Sequence, residues 1–194
     1  ETDFQRAAPS DVFIHSSRMW ITEAYIDAIE KMNEEAETCA KYLASAGVDV
    51  IAYGCTSGSF LGGPGFDKNL LARLTEAAGG IPAVATSAAS LEALRYLGIN
   101  KLSVTSPYPD PVNERLQVFF GGNGFEIVSL NGQRLIANSD IGAQTPDVIR
   151  EFTKGKLASE ADGMFLSCTN WRAMEAVDRL EKETKPRTRS LCSS

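Results

Sequence analysis

The chain is poor in histidine, with a single one at His15, and it has only four cysteines, two tryptophans and eight prolines in 194 residues. One histidine leaves no room for a His-rich metal site, and any Ser/His or Cys/His relay would depend on His15 alone. No Cys-x-x-Cys occurs, so neither a zinc ribbon nor a thioredoxin-type motif is present and the four thiols read as free. Basic charge is also short. A net charge of −6 and a pI near 4.9 argue against nucleic acid or an anionic membrane as partner, since phosphate binding requires a basic face. No apolar run approaches the roughly 20 residues of a membrane span, and the first residues do not form a signal peptide. The expectation is a cytoplasmic protein. The glycine-rich stretch at 61–66 contains neither GxxxxGK[ST] nor GxGxxG, so a nucleotide phosphate site has no support and a lid or tight turn is expected there.

What is present is a repeated arrangement. Tyr53-Gly54-Cys55-Thr56-Ser57-Gly58 follows an apolar run, and Ser167-Cys168-Thr169-Asn170 follows another and precedes a helical pattern. A thiol at a strand-to-helix junction lies near unpaired backbone N–H groups and the positive end of a helix dipole, which favours thiolate. The same N–H groups hold a carboxylate. Two such thiols suggest two halves of one site facing a small anion. Cys39, by contrast, falls on an apolar helical stripe and reads as a small buried hydrophobe. His15 and Arg18 receive no role.

Strands are expected at 12–16, 48–53, 81–85, 101–105, 125–130 and 163–166. Helices are expected at 22–46, 69–78, 87–97, 112–120, from Thr145-Pro146 onward, and at 171–183, by apolar spacing of three and four and by glycine stops. A 43% hydrophobic content supplies a sizeable core. Regular alternation of strand and helix predicts an α/β, doubly wound parallel architecture. In such folds ligands bind beyond the carboxyl ends of the strands. Cys55, Ser87, Tyr108 and Cys168 all fall at that edge. Tyr108, in Ser106-Pro107-Tyr108-Pro109, reads equally as a ligand contact or as packing under a proline turn.

Gly54-Cys55-Thr56-Ser57-Gly58, Thr105-Ser106-Pro107-Tyr108 with Val112-Asn113-Glu114-Arg115, and Ser167-Cys168-Thr169-Asn170 stand in the order seen in the aspartate/glutamate racemase superfamily. The chain resembles its maleate cis-trans isomerase and arylmalonate decarboxylase branch over most of residues 1–183. The resemblance implies a pseudo-symmetric fold of two halves, 1–104 with Cys55 and 105–183 with Cys168, followed by an irregular tail at 184–194. It implies a cofactor-independent isomerase taking maleate to fumarate, with Cys55 as nucleophile and Cys168 as proton donor or acceptor. Thr56, Ser57, Thr169 and Asn170 would then bind carboxylates, with Tyr108 and Asn138 as further substrate contacts. Alternatives within the same resemblance are a two-thiol racemase of an amino acid or hydantoin, a decarboxylase-like member, and an inactive dicarboxylate binder. Decarboxylases of this branch keep only the second cysteine, so the presence of both favours isomerase or racemase. The resemblance further implies homo-oligomers. It also implies strands before and after the segment read here, without which a central strand is left unpaired.

Overall fold

A computed structural model describes residues 2–184 and 189–192. Ten helices and six strands are found among them: α1 (Thr2–Ala7), α2 (Ile26–Asn33), α3 (Ala36–Ala44), β1 (Ile51–Tyr53), α4 (Thr56–Phe60), α5 (Phe66–Ala77), β2 (Ala83–Ala85), α6 (Thr86–Tyr96), β3 (Lys101–Ser106), α7 (Asp110–Gly122), β4 (Glu126–Gly132), α8 (Asn138–Gly142), α9 (Pro146–Thr153), β5 (Gly163–Leu166), α10 (Met174–Thr184) and β6 (Arg189–Cys192). The strands form two parallel sheets, β1-β2 and β4-β3-β5-β6. The expected α/β parallel architecture is what the chain adopts. No helix among the described residues is long and apolar enough to cross a membrane.

β3 is an interior strand of the larger sheet, paired with β4 on one side and β5 on the other. Residues 102–106 of β3 and all of β5 are buried, which is why these segments read as continuous apolar or small-residue runs rather than alternating ones. Behind the sheet the rings of Phe119, Phe120, Phe125 and Phe165 interlock, with Phe120 5.1 Å from Phe165 and 5.5 Å from Phe119. The first half adds Phe60 of α4, 6.3 Å from Phe119, so one aromatic cluster joins α4 to the larger sheet.

Several expectations are corrected. Residues 12–16 form no strand and pair with no described strand: Phe13 is 85% exposed and Val12 is exposed too. The helix expected over 22–46 is two helices. Its first residues are instead drawn into a bridge with 136–138, where Glu23 pairs with Ala137, Ala24 N–H donates to the Ile136 carbonyl (2.8 Å) and Asn138 N–H to that of Thr22 (2.8 Å). Tertiary pairing overrides local propensity there. A turn at Glu34-Glu35 then separates α2 from α3.

Of the glycines expected to stop α7, Gly121 and Gly122 lie inside its last turn, while Gly124, at φ 91°, follows the Asn123 cap and ends it. Gly122 is where Pro64 approaches, since a Cβ there would sit 2.2 Å from the Pro64 ring. The tail expected to be irregular contains β6, which pairs in parallel with β5 from Gly163↔Arg189 to Leu166↔Cys192, so β5 is flanked on both sides. The boundary expected after residue 104 runs through β3, all of which belongs to the second sheet. Of the lid or tight turn expected at 61–66, the structure has tight turns, closed by Gly63 N–H to the Phe60 carbonyl (2.9 Å) and Phe66 N–H to that of Gly63 (3.1 Å), with Leu61 and Gly63 buried and Gly62 against the Phe66 ring. Two short helices, α4 and α8, and the N-terminal α1 have no counterpart in the sequence reading.

Phe120 is fully buried at the centre of the aromatic cluster. Phe120→Ala is expected to lower the unfolding free energy by about 3–5 kcal/mol, read from the denaturant midpoint at unchanged slope.

Candidate active site

Cys55 stands two residues past the end of β1 and is the N-cap of α4, with extended backbone (φ −129°, ψ 110°). Its sulfur takes the place that a serine or aspartate oxygen usually holds at a helix start, accepting the Gly58 N–H at 3.4 Å. The Ser57 hydroxyl lies 3.6 Å from the same sulfur. α4 has only five residues, too few to hold itself by local bonding, and is fixed from outside. Ser59 Oγ donates to the Thr56 carbonyl at 2.9 Å and accepts the Ser87 N–H at 3.2 Å, and the Asn33 amide donates to the Gly58 carbonyl at 3.0 Å. Thr56 and Ser57, expected as carboxylate donors, are both buried in this turn.

Cys168 follows β5 and is 7% exposed, while Cys55 is half-buried. The next residue joins the halves: Thr169 Oγ1 donates to the Gly54 carbonyl at 2.8 Å, directly before Cys55. That bond occupies the hydroxyl proton, so Thr169 reaches a ligand with this proton only by exchanging it. Asn170 Nδ2 donates to both the backbone carbonyl (2.8 Å) and Oδ1 (3.0 Å) of Asn138. With its oxygen engaged, Asn138 presents its own NH₂ as the group left for an anion. Gly142 makes room for this pair, since a Cβ there would lie 3.2 Å from the Asn170 side chain.

Tyr108 is buried at the end of β3 and packs edge-on against Phe60 at 6.1 Å. Its backbone is held by Asn113, whose Nδ2 donates to the Tyr108 carbonyl (3.0 Å) and whose Oδ1 accepts from Ser106 Oγ (2.6 Å). Its hydroxyl bonds to the Cys168 thiol and lies near enough to both cysteines for their anions to oppose its own ionisation. Of the two readings left open for Tyr108, pure packing is the weaker, because the ring is buried yet its polar end turns to the thiols. Cys55, Ser57, Tyr108, Cys168 and Thr169 are thus brought together, with Asn138 and Asn170 beside them. Cys39 is only half-buried and has no link to the site, and His15 and Arg18 are exposed. The supporting residues Asn33, Tyr53 and Asn113 were not assigned roles from sequence; Asn113 lay within a quoted motif, whereas Asn33 carried no local signal.

Burial overturns one expectation. The thiolate favoured by the strand-to-helix junction is outweighed by desolvation: burial pushes the Cys55 thiol up, with the bonds from Ser57 and Gly58 only partly offsetting it. Cys168 is pushed up to about 12, again by burial, against bonds from the Asn170 backbone and Tyr108 that favour its anion. Tyr108 is likewise raised, first by burial and then by the two thiols. Both cysteines are therefore protonated at neutral pH in the empty site. The arrangement can supply one thiol to attack a carbon, a second to move a proton, and N–H and phenol donors for negative charge.

The family model for arylmalonate decarboxylase matches residues 14–193. The chain belongs to the arylmalonate decarboxylase family. Within this family it is 28% identical over 181 residues to a maleate isomerase of Geobacillus stearothermophilus, covering 90% of this chain and 72% of that protein. Its fold is similar to that of a cysteine-to-alanine variant of maleate isomerase from Pseudomonas putida S16 with maleate (TM-score 0.91, 21% identity, 99% of this chain and 78% of the other). It is also similar to a cysteine-to-serine mutant of Nocardia farcinica maleate cis-trans isomerase with a covalently bound succinylcysteine intermediate (TM-score 0.89, 23% identity, 98% and 80%). The arylmalonate decarboxylase family thus accounts for the fold, and these likenesses agree with its α/β parallel-sheet architecture.

Because the Cys55 pKa is raised, its thiolate fraction grows about tenfold per pH unit throughout the neutral range. Iodoacetamide labelling of Cys55, followed by peptide mass mapping from pH 6 to 9, is expected to accelerate in that proportion without a plateau near neutrality. Labelling that levels off below about pH 7 would mean a depressed pKa.

Proposed function

We propose that this chain is a cis-trans isomerase of a small unsaturated dicarboxylate, converting maleate to fumarate by reversible addition of the Cys55 thiol. The observation that carries the reading is the Thr169–Gly54 bond, which sets the Cys55 and Cys168 loops against one another beside Tyr108. The maleate isomerase relative named above and the succinylcysteine held by a structural neighbour support it. Having both thiols sets it apart from a decarboxylase that would need one.

In this mechanism the Cys55 proton passes to solvent as its sulfur bonds to one olefinic carbon of maleate, and the sulfur regains a proton from solvent when it is released at the end of the cycle. The electron pair of the double bond moves onto the adjacent carbon and its carboxylate. Backbone N–H groups at the start of α4, the Ser57 hydroxyl and the Asn138 amide are suited to hold that charge, which develops in the transition state. Cys168, kept protonated by burial, has the form required of an acid and delivers its proton to the second carbon. The product is a succinyl thioether whose central C–C bond is single and turns freely. Return of a proton from that carbon to Cys168, with cleavage of the C–S bond, restores the double bond in the trans geometry and releases the Cys55 sulfur. Atoms and electrons balance without a cofactor.

Tyr108 serves two steps by position. Its hydroxyl favours the Cys168 anion whenever that thiol has given up its proton, and being itself held protonated it remains a donor.

The test is proton NMR of the reduced protein with maleate. The maleate olefinic signal should convert to that of fumarate, and Cys55→Ala should abolish the conversion while leaving the fold intact by circular dichroism. An active Cys55→Ala protein, or an intact wild-type chain that leaves maleate unchanged, contradicts the proposal.

A further inference from the structure

We infer that Asn33 and Tyr53 form a positioning pair that sets the reactivity of Cys55 through Gly58, a role that rests on Cys55 being the nucleophile. Tyr53 is buried at the end of β1, and its hydroxyl donates to Asn33 Oδ1 at the last residue of α2. Asn33 Nδ2 in turn donates to the Gly58 carbonyl at 3.0 Å, and Gly58 N–H donates to the Cys55 sulfur at 3.4 Å. A chain of three hydrogen bonds thereby runs from the strand that precedes the cysteine, out to α2, and back to the residue that touches the sulfur.

The orientation of the amide follows from its partners. The Gly58 carbonyl can only accept, so the NH₂ of Asn33 must face it, which leaves Oδ1 for the Tyr53 hydroxyl. Burial raises the Tyr53 pKa well above its ordinary value, with the nearby Cys55 adding to it, so the phenol stays a donor. The fit is close at the third member. A Cβ on Gly58 would lie 2.2 Å from the Tyr53 oxygen and 2.9 Å from Asn33 Oδ1, so glycine lets the helix seat against the pair. Because α4 is a five-residue helix with no stability of its own, the position of the Gly58 N–H depends on such outside holds.

The charged surroundings are mixed. Glu30 of α2, Glu34 in the turn after it and Arg73 of α5 line the cleft that also exposes Asn33, and Arg73 lies 3.5 Å from Glu37 of α3. Arg73 lowers the Tyr53 pKa, while Cys168 and Tyr108 face Cys55 from the other side. None of these groups replaces the amide, since a carboxylate cannot donate to the Gly58 carbonyl.

The experiment measures the rate of Cys55 alkylation by iodoacetamide against pH, read by peptide mass mapping in the full chain, for wild type, Tyr53→Phe, Asn33→Ala and Asn33→Asp. No maleate is needed, so the outcome is independent of whether the protein isomerises it. Losing one hydrogen bond in the chain is expected to slow labelling at pH 8 about three- to tenfold in Asn33→Ala and about twofold or more in Tyr53→Phe. Asn33→Asp, which sets a carboxylate against the Gly58 carbonyl, is expected to be slowest. Each profile should be displaced to higher pH while the thermal unfolding transition remains cooperative. Profiles that superimpose on wild type in folded variants overturn the inference; if Asn33→Ala fails to fold, Tyr53→Phe decides alone, because it removes only an oxygen.

Discussion

The hydrogen bond from the Thr169 hydroxyl to the Gly54 carbonyl is the contact on which the site's geometry depends. It joins the loop after β5 to the end of β1, two elements in different sheets, and it does so between the residues that immediately adjoin Cys55 and Cys168. The sheets cannot shift relative to one another at this edge without lengthening it. The aromatic cluster from Phe60 to Phe165 resists the same displacement from below, where Phe60 meets Tyr108 on one side and Phe119 on the other. One polar bond and one apolar cluster therefore keep two thiols and a phenol in register.

That rigidity comes with burial, and burial decides the electrostatics. A fully solvated cysteine at a helix start would ionise more readily; here desolvation prevails and both thiols rest protonated. The consequence differs for the two. For Cys168 the neutral form is the useful one, since an acid must hold its proton. For Cys55 it means that proton loss accompanies attack, so the donors arranged around its sulfur, Gly58 N–H and Ser57 Oγ, act on the charge as it appears. Such donors are effective only if already in place, which gives weight to whatever holds α4 still.

Much of this was legible from the chain. The two cysteine motifs, Tyr108 between its prolines and the four strands nearest the site announced themselves through apolar runs, proline and glycine. Thr145 with Pro146 marked the start of α9, where the threonine hydroxyl does accept the Val148 N–H. What escaped depended on partners distant in sequence. Residues 12–16 have the composition of a strand and no neighbour, whereas 189–192, in a polar and basic tail, become one by pairing with β5. Asn33 ends a helix in an acidic stretch, and only folding carries it to the Gly58 carbonyl. The direction of the thiol pKa shifts was misread for a similar reason. Local sequence displays the N–H donors that stabilise an anion but not the depth of protein over them.

The central claim is that Cys55, and not Cys168, makes the bond to carbon. Peptide mass mapping of a Cys168→Ser protein after exposure to maleate tests it most directly, because without the second thiol the adduct should persist. The account predicts a mass increase of one dicarboxylate on the peptide carrying Cys55. An unmodified Cys55 peptide, or an adduct that forms instead on Cys168 of a Cys55→Ser protein, would contradict it.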